Sequence, residues 1–291
     1  IDESGQAVPQ SALGAIYRTR RAVVVGDPLQ VEPVVTIPKV LIDILADSTC
    51  VANAYKVIEN SVQTFSDNIN EFNGMIGERQ VGCPLVVHRR CIEPMFSISN
   101  LISYDNRMFN KTNKKEDYLK QEQPFLIKKS GWINVEGTEN GSKDHFVKNQ
   151  AERVCQLMED AVHIYSDLFE TDDKIFIITP FRTVAESMRK FIIDYFSVKE
   201  YDKKILSKWT KNCVGTVHTF QGKDANEVLL VLGCSNKSAG AMNWVVKKAN
   251  ILNVACTRAK YRIAFIGNIN DWKNRRYFRE FIPSFIDIIN V

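Results

Sequence analysis

Hydrophobic positions along the chain follow two alternating rhythms. Short, nearly continuous apolar runs read as buried strands, and longer segments with apolar residues every three or four positions read as helices packed by one face. Ala22–Val25 is a run of the first kind, and it ends at Gly26-Asp27-Pro28, a sequence suited to a turn. Lys39–Ala46, just after Pro38, has helical spacing and a plausible helix start. Further along, Trp132–Val135 predicts a strand and Val147–Tyr165 a helix. Ile175–Ile178 predicts a strand, and Val184–Phe196 a helix after it. Cys213–Val217 and Glu227–Leu232 read as strands around a turn at Phe220-Gln221-Gly222. Trp244–Arg258 has helical spacing, Arg262–Ile266 is a strand ending at Gly267, and Trp272–Phe281 reads as a last helix. Strands alternating with helices predict an α/β fold, a parallel sheet flanked by helices.

Composition narrows the class. The chain has 291 residues, 45% hydrophobic and 25% charged, with a formal net charge of +4. Those proportions fit a packed protein of about two domains and exclude a disordered chain, a collagen-like repeat and a coiled coil. No apolar run approaches the about 18 residues of a membrane span. The start, Ile-Asp-Glu-Ser-Gly, has neither the basic end nor the apolar core of a signal peptide, so an intracellular monomer with no membrane partner is expected. It also lacks an initiator Met, which suggests a chain cut from something longer. Of seven cysteines, never spaced C-x-x-C, most read as small buried residues in a reducing compartment rather than as a disulfide frame or zinc site. Gly74, Gly77, Gly82 and Pro84 place a domain boundary near residues 75–85.

Lesser features read as structural. Gly74-Met75-Ile76-Gly77 is an isolated G-x-x-G and reads as a turn, and the lysine-rich 103–131 stretch as a solvated face. His145 and His163 lack metal-ligand spacing, and Trp132 and Trp244 read as core or lobe-packing residues rather than base-stacking platforms.

Six short blocks carry candidate chemistry. Asp2-Glu3, at the edge of a possible strand, could serve a nucleotide–Mg²⁺ site: one carboxylate orients a metal-bound water and the other takes a proton from the attacking water. Gln30, after the Gly26-Asp27-Pro28 turn, offers an amide that can donate to a phosphate oxygen and accept from water without competing for metal. The other four are His88-Arg89-Arg90-Cys91, Thr179-Pro180-Phe181-Arg182, Gly215–Asp224 and Asn253–Lys260. Each alone has a bland alternative, since arginines are usually surface residues and Gly222 may only permit a turn.

In this order and spacing, the blocks resemble the motifs of superfamily 1 helicases, in the branch that includes the nonsense-mediated-decay helicase. Asp2-Glu3-Ser4-Gly5-Gln6 is similar to motif II (Walker B), and Gly26–Pro33 to motif III. His88–Cys91 resembles the Tyr-Arg-Met or Tyr-Arg-Cys motif, Thr179–Arg182 the Thr-Pro-Tyr-Arg motif, Thr216–Asp224 motif V and Asn253–Lys260 motif VI. The likeness runs from residue 1 to about residue 267.

It implies a RecA-like P-loop NTPase fold and an ATP-dependent helicase or translocase on single-stranded DNA or RNA, using ATP and Mg²⁺ and moving 5′→3′. Asp2 and Glu3 would form the metal site, with Asp2 holding Mg²⁺ and Glu3 activating water. Gln30, Arg90 and Arg258 would face the γ-phosphate, and Gly222 and Asp224 would lie beside the nucleotide. Thr179, Pro180, Arg182, Thr216 and His218 would contact the nucleic-acid backbone. Departures are Asp224 in place of Glu, Phe181 in place of Tyr, and His88-Arg89 in place of the aromatic start; Gly5 stands at a position that varies.

No G-x-x-x-x-G-K-[ST] occurs in the sequence. In this superfamily that phosphate loop lies N-terminal to motif II. The expectation is therefore residues 1–78 as the C-terminal part of a first lobe and 79–291 as a complete second lobe, inactive alone. The competing reading is a non-hydrolysing nucleic-acid-binding or regulatory module on the same fold; Glu3, Gln30 and Arg258 together favour the motor.

Overall fold

A computed structural model describes residues 1–52, 55, 56, 60–77, 79–112, 125–139, 141, 143–220 and 222–289. Gln221 and the lysines at 114, 115 and 120 lie outside them. The chain divides into two units: Ile1–Val86 with Ser103–Arg107, and Val87–Ile102 with Met108–Val291.

In the first unit the N-terminal residues lie beside residues 23–25. The Ile1 ammonium donates to the Val23 carbonyl at 2.7 Å, Val25 N donates to Ile1 O at 2.9 Å, and Ser4 N to Val25 O at 3.1 Å. The first two bonds follow the parallel pattern. No regular strand forms over Ala22–Val25, however, because its apolar side chains find no cover: Val23 is 75% exposed. Helix α1 (Pro9–Tyr17) starts with a proline in its first turn, where no N–H is needed. Helix α2 (Lys39–Ser48) follows the expected spacing. Helix α3 (Val62–Ile69) opens with a capping box: Thr64 N donates to Ser61 Oγ and Ser61 N to Thr64 Oγ1. Strands β1 (Gly74–Ile76) and β2 (Arg79–Val81) pair antiparallel, with Ile76 opposite Arg79.

The second unit begins with β3 (Val87–His88), α4 (Met95–Ser103) and β4 (Phe109–Asn110), with β3 and β4 parallel. Then come β5 (Gly131–Asn134), α5 (Lys148–Ile164), β6 (Ile175–Thr179), α6 (Arg182–Ser197), α7 (Lys203–Cys213), β7 (Val214–Thr216) and β8 (Ala225–Val231). The chain continues through α8 (Ala239–Val245), α9 (Asn250–Arg258), β9 (Ala259–Gly267), α10 (Ile269–Trp272), α11 (Phe278–Phe285) and β10 (Asp287–Ile288). These strands form one sheet in the order β10-β5-β9-β8-β6-β7, with parallel pairings. This is the α/β, RecA-like architecture expected.

A parallel sheet covered on both faces needs apolar side chains on both, which is why β6 is buried along its whole length and β8 nearly so. Trp132 lies in this core, stacked on Phe265 with ring centroids 5.7 Å apart.

Two expected helices are divided. Trp244–Arg258 becomes α8 and α9 around residues 246–249. The buried residues of α9 run without a break from Leu252 to Arg258, whereas α8 keeps an open face, so one straight axis cannot serve both. Trp272–Phe281 becomes α10 and α11, because Tyr277 takes φ +66°, a left-handed conformation that interrupts a helix. Among the described residues no helix is long and apolar enough to cross a membrane.

Candidate active site and nucleic-acid interface

In the first unit, motifs II and III meet backbone to backbone. Ser4 is fully buried and its Oγ donates to Gln63 Oε1 at 2.6 Å, which anchors the turn. Glu3 takes φ +51°, and both Asp2 and Glu3 point to the exposed side. Asp2 Oδ1 accepts from Glu3 N at 2.9 Å, and Glu3 Oε2 accepts from Gln6 Nε2 at 2.8 Å. A Cβ on Gly5 would lie 2.6 Å from Asp27 O, and one on Gly26 would lie 2.5 Å from Gly5 N and Ser4 Oγ. Gly5 is therefore required by this contact and is more than a tolerated variation.

Asp27 is the residue that sequence reasoning missed here. Its Oδ1 accepts from Leu29 N at 2.9 Å, and its Oδ2 from Gln30 Nε2 at 3.0 Å and from the Tyr104 hydroxyl. Asp27 thus fixes the direction of the Gln30 amide. The exposed carboxylate oxygens of Asp2 and Glu3 fit a hard cation such as Mg²⁺, which takes oxygen ligands and keeps several waters.

The second unit gathers the other motifs. Thr179 and Thr216 are register partners at the ends of adjacent strands β6 and β7. Thr179 and Pro180 are buried, Thr216 is half-buried, and Arg182 is exposed at the start of α6, where its Nε donates to Glu186 at 2.8 Å. Arg182 is thus the open member of its motif. A Cβ on Gly215 would meet Thr219 Oγ1 at 2.6 Å, so the motif V turn folds tightly over that glycine. His218 lies on the turn's surface, and the protein packed behind its ring lowers its pKa, keeping it neutral at pH 7. Gly222 has φ +76° with open space around it, a conformation that favours glycine.

Motif VI clasps this turn. Arg258, at the C-terminal end of α9, is fully buried. Its Nη1 donates to Phe220 O at 3.2 Å and Lys223 O at 3.0 Å, and its Nε to Val254 O at 3.4 Å. A cation at a helix C-terminus also complements the helix dipole. Lys260 Nζ pairs with Asp224 Oδ1 at 2.8 Å. Ile92 N donates to Lys260 O at 3.2 Å, which ties the His88–Cys91 segment to motif VI. Within that segment Cys91 N donates to His88 Nε2 at 2.9 Å; Arg89 is exposed and Arg90 half-buried. Ser99 Oγ donates to Asn253 Oδ1, joining α4 to α9.

A second hub holds the loop before α5. Glu139, with 2% of its side chain exposed, accepts from Ser235 N at 2.7 Å, Ser235 Oγ at 3.0 Å and Ser238 Oγ at 2.8 Å, and pairs with His145 Nδ1 at 2.9 Å. Burial pushes its carboxyl pKa up, but the hydrogen bonds from His145, Ser235 and Ser238 outweigh it and hold the value below the ordinary one. Cys234 Sγ lies close by, so three ligand-type atoms fall within 4.8 Å of one another. The glutamate is already committed to the serines and His145, and its role is to fasten the loop.

Asp2, Glu3 and Gln30 thus belong to the first unit, and Arg90, Gly222, Asp224 and Arg258 to the second. A protein-family model described as an AAA domain, AAA_12, matches residues 71–270. The chain belongs to this family. The match covers the four blocks from His88 to Lys260, and with the helicase relatives below it supports the superfamily 1, nonsense-mediated-decay-like resemblance read from the motifs. It is 24% identical over 291 residues to the "Probable helicase senataxin" of Mus musculus, covering 98% of this chain and 10% of that protein. It is 24% identical over 296 residues to the "Uncharacterized ATP-dependent helicase MJ0104" of Methanocaldococcus jannaschii, covering 97% and 37%. With "Helicase sen1" of Schizosaccharomyces pombe the identity is 24% over 280 residues, covering 94% and 14%. The AAA_12 chain therefore spans from about a tenth to little more than a third of the length of these relatives.

Proposed function

We propose that the chain carries motifs II to VI of an ATP-driven translocase on single-stranded nucleic acid. The observation that carries this reading is the clasp of motif VI on motif V, in which Arg258 and Lys260 hold the Phe220–Asp224 turn. A buried guanidinium hydrogen-bonded to backbone carbonyls on a glycine-bearing turn can be released to a γ-phosphate when the turn rearranges. That exchange would couple hydrolysis to motion.

ATP with Mg²⁺ supplies the phosphoryl group to be cleaved. Asp2 would hold the cation, and Glu3 would accept a proton from the attacking water. Gln30, aimed by Asp27, would orient that water, and Arg90 and Arg258 would each be able to stabilise charge developing on phosphate oxygens. Gly222 and Asp224 would lie beside the nucleotide. Arg182 and His218 are the accessible groups for a nucleic-acid backbone, with Thr179, Pro180 and Thr216 shaping the edge beneath them. Residues 1–78 form the trailing part of a first RecA-like lobe and 79–291 the second.

With no phosphate loop in its sequence, the chain alone turns ATP over negligibly. The test is ATPase activity of the parent protein and of this chain, each with and without single-stranded DNA or RNA. The reading expects stimulated turnover from the parent and none from the chain; robust turnover by the chain, or a parent indifferent to nucleic acid, would refute it.

A further inference from the structure

Four tryptophans occur in the sequence, and three of them, Trp132, Trp209 and Trp272, are 2% exposed or less. Trp244 on α8 is 53% exposed, in contrast to the packing role expected from its sequence context. Gly240, Asn243 and Trp244 are exposed at helical spacing on α8, and Lys247 is exposed two residues past its end, so the indole stands on one open face of the helix. It is braced from behind. The Phe181 ring centroid lies 5.8 Å away and tilted by 36°, and Phe181 in turn lies 4.8 Å from the His145 ring. This aromatic column is rooted in the Thr179–Arg182 segment at the carboxyl end of β6, the sheet edge where open α/β folds bind ligands.

Cations predominate in the chain segment that carries it. No carboxylate occurs in the sequence between Glu227 and Asp271, whereas Lys237, Lys247 and Lys248 all fall there. Arg275, from the loop after α10, donates to Asn243 Oδ1 at 2.5 Å, one residue from Trp244. Arg182, next to Phe181, is exposed along 88% of its side chain. Arg182 pairs with the Glu186 carboxylate at 2.8 Å, and Glu139, bonded to Ser238, is buried and committed. A packing helix from another protein would find a single apolar side chain among glycine, asparagine and lysine. A nucleobase with its flanking phosphates would find a π-face and cations on either side.

We propose that Trp244 is a base-stacking platform for single-stranded nucleic acid, with Lys247 and Arg275 receiving the phosphates that flank the stacked base. This rests on the nucleic-acid reading of the chain and adds to it a residue outside the six motifs. Because the other three tryptophans are buried, quenching of the protein's fluorescence on binding reports on Trp244 itself.

The experiment titrates fluorescein-labelled dT15 and U15 with the chain and its variants, following anisotropy and tryptophan emission, with thermal melts to confirm that each variant folds. The wild type should bind with quenched emission, and Trp244→Ala should bind roughly tenfold more weakly or worse. Trp244→Phe, which keeps a ring, should stay within about threefold. Lys247→Ser should lower the slope of log K against log salt by about 0.7, one phosphate contact on a single strand. Equal losses on dT15 and U15 mark stacking on the base, and a loss on one alone assigns the platform to that sugar. Wild-type binding that Trp244→Ala leaves undiminished overturns the platform while the nucleic-acid reading stands. No binding of either oligonucleotide by the wild type overturns both. Concentration-dependent self-association abolished by Trp244→Ala would instead assign the face to contact between copies.

Discussion

Replacing Glu139 tests how the second unit holds the loop behind the aromatic column. Its carboxylate accepts from Ser235 N, Ser235 Oγ and Ser238 Oγ and pairs with His145, almost wholly out of solvent. Hydrogen bonds to a charged group contribute about 1.5–3 kcal/mol each, and a buried donor left without a partner costs about 1–3 kcal/mol. The serine hydroxyls can rotate to new acceptors, but the Ser235 amide cannot. Glu139→Ala should therefore cost about 3–5 kcal/mol, whereas Glu139→Gln, which keeps one acceptor oxygen, should cost about 1–2 kcal/mol. All four tryptophans lie in the second unit, so urea unfolding followed by tryptophan fluorescence reads the relevant transition. The pH dependence follows from the depressed carboxyl pKa. The folded state holds the ionised form more tightly than the unfolded chain does, so the stabilisation is fully present above the ordinary 4.5 and is lost as pH falls through the lower folded value. Glu139→Gln has no such titration, and the stability gap between it and the wild type should narrow from pH 7 toward pH 3.5. A gap that stays constant over that range, or Glu139→Ala within about 0.5 kcal/mol of wild type, would refute the reasoning.

Three further outcomes can be checked separately. Gly26→Ala should destabilise the first unit by about 1–3 kcal/mol, because its Cβ would lie 2.5 Å from Gly5 N and Ser4 Oγ; amide exchange at Ser4 and Val25 should accelerate. Asp224→Asn should change stability by less than about 1 kcal/mol, since the Lys260 pair is partly solvated, as measured by denaturant midpoints. In a thiol-reagent titration, Cys50 and Cys83 should react fast in the native chain and all seven cysteines only in denaturant. Burial pushes the Cys155 and Cys234 thiols up to about 12 and raises Cys213 and Cys256 as well.

The sheet was legible in the sequence because a strand buried on both faces writes itself as an unbroken apolar run, as Ile175–Ile178 and Val228–Leu232 do. The helix breaks were not. Apolar spacing continues through residues 246–249, and nothing in the letters at Tyr277 announces a positive φ. The candidate chemistry was visible through the order of six short blocks, but the residues that orient it were hidden. Asp27 reads as an ordinary turn residue until its carboxylate is seen holding Gln30 and Tyr104. Two carbonyl partners of Arg258, those of Phe220 and Lys223, lie 38 and 35 residues away in sequence, a distance that no local pattern spans. Trp244 occupies an apolar slot in a periodic window, and only the position of α8 shows that the slot faces outward.

The proposed function requires the two carboxylates at the start of the chain to serve nucleotide hydrolysis driven by nucleic acid. The most direct measurement compares the parent protein with its Glu3→Gln variant for ATP turnover and oligonucleotide affinity. The account predicts turnover reduced by about 10² or more with affinity for single strands unchanged. Undiminished turnover in Glu3→Gln would contradict it.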